Sequence, residues 1–524
     1  MDLLVSILPI VLLIYAMTKK HPVPSYIALP ATALLVGIFQ VFYFHANQTL
    51  LLANAISGVL STLTPISIIA GAILLNRVMV LSGAENIVRH WLESISTNAV
   101  AQLMIIGWAF AFMIEGASGF GTPAAIAAPI LVGLGFNPIK VILLTLTMNS
   151  VPVSFGAVGT PTWFGFAPLN LKDAEILSIS QYTALVHTIA AFFIPIIALR
   201  FVVSWQDIRR NIIFILLSVL SCTLPYLLIA QWNYEFPSLL GGVIGLVISV
   251  FLARHHIGLS NETRHSEKRK GVSGKALAIA ISPMILLVGI LIITRIKQLG
   301  IKQILTDMTP WLHGSLGSTQ VSVTDSLAIS LTHIFGTSVS WAYKTLYVPA
   351  LIPFLVVVLI SIPILKMSKG QVFEAFSDCR RRILWPSISL MGALVMVKFM
   401  MLGKLDSPVL VIGHSFAELT GDKWTYFASY LGALGAFFSG SATVSNLTFG
   451  AIQQSIAVSV GLPQTLILAL QSVGGAMGNM VCLNNIIAVS TILGISHKEG
   501  FIMKRTVVPM AIYGLIAALV SVFL

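Results

Sequence analysis

The sequence predicts an all-α polytopic membrane protein with two structurally repeated halves that contain re-entrant hairpins and broken helices. Of its 524 residues, 57% are hydrophobic and only 9% are charged, whereas a soluble domain carries about 25% charged residues. Many apolar runs exceed the roughly 10 residues that a β-barrel strand needs, so the spans are predicted to be helical. Glycine and proline interrupt apolar runs in both halves, which predicts the repeat and the broken helices.

The charged residues are placed as in a multi-pass membrane protein. The formal net charge is +12, but Lys and Arg cluster in short loops between apolar runs, which is the positive-inside pattern rather than a nucleic-acid-binding surface. The cysteines Cys222, Cys379 and Cys482 are scattered singly, and neither a disulfide framework nor a metal spacing follows from them. The sequence therefore predicts no cofactor, no metal and no nucleic-acid partner.

The apolar runs give the order of the spans. Positive charge follows the first run rather than preceding it, so we expect an uncleaved helix and not a signal peptide. We expect roughly twelve to fourteen spanning or re-entrant segments at about 20 residues per span. The less apolar stretch 297–341 is expected to be an outer loop containing an interfacial helix. The predicted spans are 1–17, 25–44, 50–81, 100–114, 182–203, 212–230, 238–253, 276–293, 345–365, 383–402, 424–438 and 507–524.

The most hydrophilic stretch divides the chain into two predicted halves. Residues 1–253 form the first transmembrane half, 254–275 a basic cytoplasmic linker, and 276–524 the second transmembrane half. The basic loops fall on one side of the membrane if the spans alternate, and this predicts a periplasmic N-terminus. Those loops begin after residues 18, 204, 253, 365 and 497.

Two core motifs, 115–161 and 439–485, break the helical pattern inside apolar surroundings. Backbone that glycine and proline free at membrane depth survives only where it is buried in protein or lines a polar cavity. Paired segments of this kind in the two halves of a chain indicate the binding site of a secondary transporter. We pair Gly116 with Gly440, Gly135 with Gly461, Asn149-Ser150 with Gln471-Ser472, and Gly156 with Gly478.

Glu115 is the candidate proton-coupling residue. It is the only acidic residue between Glu93 and Asp173, and it follows an apolar segment. A carboxyl group buried in such surroundings can bind and release a proton near neutral pH. The alternative is an interfacial carboxylate that caps the start of a re-entrant helix, where it meets the positive end of the helix dipole.

Small, hydroxyl and amide residues of the two motifs are the candidate substrate-binding groups, together with one lysine inside an apolar run. Half-helix N-termini can bind an anion through backbone N–H groups without a full charge. The alternative is that small residues allow helices to pack closely, and that Lys398 extends toward the interface. The candidates are Gly116, Ser118, Gly119, Gly121, Asn149, Ser150, Lys398, Ser441, Thr443, Ser445, Asn446, Gln471, Ser472 and Asn479.

Three motifs carry a resemblance to a known family. They are Glu115-Gly-Ala-Ser-Gly-Phe-Gly-Thr-Pro123, Asn149–Pro161 with its Pro-Val-x-Phe-Gly-Ala core, and Gly440-Ser441 followed by Ser445-Asn446. The chain resembles the bacterial lactate permease family of proton-coupled 2-hydroxy-acid transporters. The resemblance implies uptake of L-lactate, D-lactate or glycolate with a proton across an inner membrane, and no enzymatic activity.

The chain departs from that family at several positions inside the second motif, and Leu483-Asn484-Asn485 stand where the resemblance implies Ser-Pro-Gln. The resemblance implies an aspartate where this chain has Ala442 and a lysine where it has Asn479. Losing both members of an ion pair costs less than losing one, because no unpaired buried charge remains. The substrate itself can therefore differ from that of the family. A Na⁺-coupled organic-anion carrier and a passive anion channel remain alternatives to proton symport.

Overall fold

The computed structural model describes residues 1–19, 23–119, 122–261, 271–295, 300–305, 307, 309–346, 351–403, 406–495 and 498–524. These residues form two compact units. Unit 1 comprises Met1–Val88 and Gly274–Ile412, and unit 2 comprises Arg89–Ser273 and Gly413–Leu524. Each unit thus takes one segment from each side of the predicted linker 254–275, of which residues 262–270 lie outside the described residues. The division into two sequence halves stays a prediction.

The first segment of unit 1 is helical throughout its membrane part. Asn47 precedes one of its helices, and its side chain accepts a hydrogen bond from Leu50 N at 3.1 Å, as an N-cap residue does. The helices are α1 (Asp2–Thr18), α2 (Ser25–Phe42), α3 (Gln48–Ser61) and α4 (Leu63–Leu81).

The first segment of unit 2 contains shorter and more frequently interrupted helices. One of them begins within unit 1 and ends at Glu93. The helices are α5 (Ala84–Glu93), α6 (Ala99–Met104), α7 (Ala111–Ser118), α8 (Thr122–Gly133), α9 (Pro138–Met148), α10 (Gly156–Trp163), α11 (Asp173–Ala190), α12 (Ile194–Arg200), α13 (Trp205–Arg210), α14 (Ile212–Ile229) and α15 (Pro237–Arg254). A π-helical turn, Ile105–Phe110, joins α6 to α7, and a 3₁₀ turn, Val153–Phe155, precedes α10.

The second segment of unit 1 contains both helices and strands. Its elements are α16 (Gly274–Arg295), α17 (Ile301–Leu305), β1 (Pro310–Leu316), β2 (Thr319–Thr324), β3 (Ala328–Thr332), β4 (Trp341–Lys344), α18 (Leu351–Ile364) and α19 (Lys369–Met400). The regular elements described in the second segment of unit 2 are helices and short helical turns. The helices are α20 (Pro408–Thr420), which begins within unit 1, α21 (Thr425–Ser439), α22 (Ala442–Val460), α23 (Gln464–Gly478), α24 (Leu483–Ile492) and α25 (Glu499–Ser521).

The helices confirm the predicted polytopic membrane class. In the described part of the chain, nine helices are long and apolar enough to cross a membrane. Two further pairs are bent, by 63° between α9 and the segment Val153–Leu169, and by 42° between Gln464–Val481 and Asn484–Ile492. Three shorter apolar helices are Asp2–Met17, Thr122–Gly133 and Leu351–Ile364. The broken helices were thus predicted in the right regions.

The expected outer loop 297–341 has a different structure from the one predicted. It contains the short helix α17, but residues 310–344 form a four-stranded antiparallel sheet in the order β1-β2-β3-β4. The turn between β1 and β2 places Leu316 opposite Thr319. In β2, Val321 and Val323 alternate with polar residues, a pattern typical of a half-buried strand. The prediction of a loop did not take this alternation into account.

The basic residues 380–382 lie inside a helix rather than in a loop between two spans. α19 has 32 residues, which corresponds to about 48 Å at 1.5 Å per residue. The hydrocarbon core of a bilayer is about 30 Å thick. α19 is therefore longer than a single crossing requires, and the predicted span 383–402 covers only its C-terminal part.

The continuous helix 99–118 forms the centre of unit 2. Protein surrounds its apolar window completely. Edge-to-face aromatic contacts join Trp108 to Phe112, Phe112 to Tyr226, and Tyr226 to Phe155, a geometry that adds to the hydrophobic stabilisation. This core holds in place α7, whose last turn contains Glu115.

Candidate functional site

Four helices of unit 2 end at equivalent breaks. α7 ends before Gly119, α9 before Asn149, α21 before Gly440, and α23 before Asn479. Gly119 has φ +58° and Gly440 has φ +73°, a region that residues with a Cβ atom rarely adopt. The first two breaks belong to the motif 115–161 and the last two to 439–485, so each motif supplies one glycine break and one asparagine break.

The structure corrects the pairing of the second breaks. Asn149 was paired with Gln471, but the residue that follows α9 corresponds by position to Asn479, which follows α23. The reason is helix length, because α9 has 11 residues and α23 has 15. The Asn149-Ser150 and Gln471-Ser472 dipeptides are therefore not equivalent in the fold.

All four breaks converge on one pocket. It contains about 380 Å³ of empty space, part of which is open to solvent. In the described part of the chain, its single titratable side chain is Glu115. The pocket is lined by Glu115, Gly119, Asn149, Val153, Gly156, Ala157, Pro161, Gly440, Ser441, Ala442, Thr443, Asn479 and Asn485.

Glu115 is the buried acidic group of this pocket. Its residue is 3% exposed, and its Oε2 accepts a hydrogen bond from Asn149 Nδ2 at 3.0 Å. Within the described part of the chain, its carboxyl group forms no ion pair and is bonded to the neutral amide of Asn149. The alternative role as an interfacial cap does not fit this position, because Glu115 lies in the last turn of α7 and not at a helix start.

Asn149 presents an unused acceptor. It is 8% exposed, and its Oδ1 has no hydrogen-bond partner within the described residues. An unpaired buried acceptor costs about 1–3 kcal/mol, and such atoms in a native site call for a bound molecule or water. Asn149 therefore combines a fixed donor, which faces Glu115, with an acceptor that has no partner in the protein.

The backbone beside Glu115 has an unusual conformation. Ala157, Val158 and Gly159 have φ values of +44°, +57° and +71°. The left-handed conformation costs roughly 1–2 kcal/mol for each residue that has a Cβ atom, and strain of this kind concentrates at functional sites. Gly156 begins this segment, and a Cβ at that position would lie 3.2 Å from Glu115 Cδ and still closer to Oε1. The absence of a side chain at Gly156 makes room for the carboxyl group.

The second motif contributes a helix N-terminus and an amide pair. Ser441 is the N-cap of α22, and its Oγ accepts a hydrogen bond from Val444 N at 3.3 Å. The first backbone N–H groups of a helix have no intrahelical acceptor, and here Ala442 and Thr443 line the pocket. Asn479 and Asn485 also line the pocket, and Asn485 Nδ2 donates to Asn479 Oδ1 at 3.0 Å. This end of the pocket offers donors without a formal charge.

Several predicted binding residues lie behind the pocket in a hydrogen-bonded network of amides. Gln471 Nε2 donates to Ser445 Oγ at 3.0 Å and to Asn446 Oδ1 at 3.3 Å, and Asn446 Nδ2 donates to Pro161 O at 2.9 Å. Gln471 Oε1 accepts from Gln453 Nε2 at 2.9 Å. These groups satisfy one another, so the structure places Ser445, Asn446 and Gln471 as a support that joins α22 and α23 to the α10 segment.

Ser472 belongs to a second buried network that the sequence analysis did not find. Ser472 Oγ donates to Ser154 Oγ at 3.0 Å, and Ser154 Oγ lies 2.8 Å from His187 Nε2. His187 Nδ1 in turn contacts the hydroxyl of Tyr513. The network connects the break after α9 with α11, α23 and α25. A single His and a single Tyr within apolar spans were the available signals, and neither is specific.

The remaining candidates lie elsewhere. Gly116 packs against the backbone of Leu239 on α15, Ser118 Oγ donates to Ile114 O at 3.0 Å, and Ser150 Oγ donates to Thr147 O at 2.7 Å. Gly121 lies outside the described residues. Lys398 lies on α19 of unit 1 and not among the residues that line the unit 2 pocket. Of the described residues, no three His, Cys, Asp or Glu side chains group together as metal ligands.

The pocket also includes residues that were not predicted to bind substrate. They are Val153, Gly156, Ala157, Pro161, Gly440, Ala442 and Asn485. All of them lie inside the two motifs. The positions of the motifs thus predicted where the pocket lies, but the residue types did not indicate which side chains line it. Ala442 and Asn479, at which the resemblance implies an aspartate and a lysine, both line the pocket.

Comparison with known proteins identifies the family. The model of the family described as L-lactate permease matches residues 2–524. The chain belongs to the L-lactate permease family. A candidate L-lactate permease of Haemophilus influenzae is 56% identical over 100% of this chain and 98% of its own length. The glycolate permease of Escherichia coli K12 is 23% identical over 99% of this chain and 94% of its own length.

Membership in the L-lactate permease family confirms the sequence-based prediction that the protein is a membrane transporter and not an enzyme. Among solved structures, the YdaH transporter of Alcanivorax borkumensis aligns over 98% of this chain and 97% of its own chain, with 14% sequence identity and a TM-score of 0.46. That likeness is too low to carry an argument about the site.

Proposed function

We propose that this permease takes up a small monocarboxylate by proton symport across the inner membrane, with lactate as its main substrate and glycolate as a second one. Glu115 would carry the coupled proton. The relatives named as lactate and glycolate permeases support the substrate class. The observation that carries the proposal is the pocket at four helix breaks, which contains one buried carboxyl group and uncharged donors.

The neutral donors suit a carboxylate substrate. Free N–H groups at a helix N-terminus bind anions without a full positive charge, and the start of α22 at Ala442 and Thr443 lines the pocket. Discontinuous helices in secondary transporters place such N-termini at the substrate carboxylate. The chain therefore does not need a lysine or arginine in the pocket to bind an organic anion.

Glu115 gives a physical reason for coupling. Two negative charges about 5 Å apart repel by about 3 kcal/mol at an effective dielectric constant of about 20, which corresponds to more than a hundredfold in affinity. Protonation of Glu115 removes this repulsion. The substrate anion then binds after the proton, and both leave together on the other side.

The test is uptake of labelled L-lactate into proteoliposomes. We expect an imposed pH gradient to drive accumulation when choline replaces Na⁺, and we expect Glu115→Gln to lose that accumulation while it keeps lactate counterflow. Accumulation that requires Na⁺ would indicate a Na⁺-coupled carrier. Uptake that neither saturates nor responds to the gradient would indicate a passive channel. Competition by D-lactate, glycolate and other carboxylates in counterflow defines the substrate range.

The proposed orientation follows from the distribution of charge. The first helix is followed by Lys19, and the basic loops fall on one side when the predicted spans alternate. Under the positive-inside rule this pattern favours a periplasmic N-terminus. Reporter fusions at the N-terminus, active only in the periplasm, test this assignment. Activity of a cytoplasmic reporter at that position would reverse the assigned orientation.

A further inference from the structure

The amide of Asn149 connects the carboxyl group of Glu115 to the pocket. Nδ2 donates to Glu115 Oε2 at 3.0 Å, whereas Oδ1 is buried without a hydrogen-bond partner in the described part of the chain. The equivalent residue Asn479 differs, because its Nδ2 donates to Gly475 O and its Oδ1 accepts from Asn485 Nδ2. Of these two asparagines, only Asn149 can turn its amide without breaking bonds to other protein groups.

The protonation state of Glu115 decides which way this amide points. An ionised carboxylate only accepts hydrogen bonds, so it holds the NH₂ group of Asn149. A protonated carboxyl group has an O–H donor, which can pair with the amide oxygen instead. The two amide orientations have nearly the same shape, so the turn requires little rearrangement of the surrounding packing.

We propose that Asn149 is a substrate-contacting residue whose amide turns when Glu115 takes up a proton. With Glu115 ionised, Nδ2 stays bonded to the carboxylate, and the amide offers the substrate no donor. With Glu115 protonated, Oδ1 accepts from the carboxyl O–H, and Nδ2 is free to donate to the substrate carboxylate. The proton arrives from the side to which the pocket is open and leaves with the substrate on the other side. This proposal rests on the proposed function, in which Glu115 carries the coupled proton.

Among the titratable groups near Asn149, Glu115 is the one whose protonation can control the orientation of the Asn149 amide. α7 packs against α8, α10 and α15, and α9 packs against α8, α12, α24 and α25. The charged groups on or beside these elements lie near helix ends and do not line the pocket within the described residues. They are Arg89, Glu93, Lys140, Arg200, Glu235, Arg254, Lys498, Glu499, Lys504 and Arg505. The buried His187 bonds to Ser154 and Tyr513, and the Tyr226 hydroxyl donates to Val151 O, so these groups do not bond to Glu115.

The test is the pH dependence of L-lactate binding to the purified full-length protein. In the wild type we expect the dissociation constant to rise steeply from acidic to alkaline pH. Asn149→Leu removes a donor to a charged group, so we expect it to weaken binding about ten- to a hundredfold at acidic pH. At alkaline pH we expect little change, because the wild-type amide then offers no donor. The ratio of the two dissociation constants should therefore fall by the same factor.

Asn479→Leu is the matched control. It removes an asparagine that lines the same pocket at the equivalent break, but its amide is already bonded on both sides. We expect it to change the two dissociation constants by the same factor and to leave their ratio as in the wild type. Asn149→Leu with equal weakening at both pH values would overturn the amide turn and leave Asn149 with a packing role.

Glu115→Gln separates this inference from the proposed function. The Gln amide can donate to Asn149 Oδ1 at every pH, so we expect binding as tight as that of the acidic wild type, and Asn149→Leu in that background should weaken it about tenfold at every pH. Retained proton coupling in Glu115→Gln would refute the proposed function. Lost coupling, together with a wild-type pH ratio in Asn149→Leu, would refute only the amide turn.

A second variant covers a failure of Asn149→Leu to fold. Asn149→Ser is smaller, and its hydroxyl can donate whatever the state of Glu115, so we expect a pH ratio smaller than that of the wild type. A folded Asn149→Ser protein, judged by a single size-exclusion peak, that keeps the full wild-type ratio would overturn the proposal.

Discussion

A single methyl group placed at Gly156 tests the role of Glu115 without changing any charge. Gly156 has φ −63°, so its backbone accepts alanine. The added Cβ would lie less than 3 Å from Glu115 Oε1, a separation that Cβ atoms essentially never show. Because Oε1 is the far end of a flexible side chain, the carboxyl group moves and the fold tolerates the change.

The size of the effect follows from the Asn149 hydrogen bond. This bond is 3.0 Å long, so a shift of about 0.6 Å takes it past the distance at which a hydrogen bond is lost. A hydrogen bond to a charged group contributes about 1.5–3 kcal/mol, which corresponds to about ten- to a hundredfold. In the protonated state the same shift separates the carboxyl O–H from Asn149 Oδ1, so Nδ2 is no longer directed to the substrate carboxylate. We expect Gly156→Ala to lower proton-driven lactate uptake by about that factor.

The assay is initial uptake in proteoliposomes at matched protein content. Gly289→Ala is the control, because a Cβ at Gly289 would meet nothing within 4 Å, and we expect it to behave as the wild type. If Gly156→Ala keeps wild-type uptake and pH dependence, the position of the Glu115 carboxyl group does not matter, and the reasoning is wrong.

Three further variants address packing, an ion pair and the remaining lysine. Gly116→Ala places a Cβ against the backbone of Leu239, which cannot give way. We therefore expect the free energy of unfolding to fall by about 1–3 kcal/mol and the melting temperature to fall with it. Gly500→Ala is the control, because a Cβ there would meet nothing within 4 Å, and we expect no change in its melting temperature. Asp378→Asn breaks the 2.7 Å pair with Arg77, and we expect about 1–3 kcal/mol of destabilisation, partly restored by Arg77→Met in the same chain; an unaltered melting temperature would contradict this. For Lys398→Met we expect an unchanged apparent affinity for lactate, and a weaker one would return Lys398 to the site.

The sequence located the breaks because their chemistry is local. Glycine at φ +58° or +73°, as at Gly119 and Gly440, and a lone carboxyl group after an apolar run can be recognised without any knowledge of the fold. The residues that face the pocket could not be chosen in the same way. The window within 99–118 is enclosed by protein on every side, so hydrophobic periodicity does not indicate which side of the helix faces a cavity.

Long-range arrangement was the part that sequence patterns could not supply. Gln471 and Asn479 are both amides in the same motif, and only the longer α23 places Asn479 rather than Gln471 at the break. Each unit consists of two segments that are far apart in the sequence. This arrangement depends on contacts between distant residues, which a hydropathy pattern does not indicate. The sheet 310–344 was overlooked because its strands are short and β1 is fully exposed, so its apolar alternation is weak.

The most direct measurement is an experimentally determined structure of the protein with L-lactate bound at acidic pH. The account predicts that the carboxylate lies between the ends of α7, α9, α21 and α23, within hydrogen-bonding distance of Asn149 and the start of α22. Lactate bound away from these four helix ends, or the helices found unbroken and apart, would contradict it.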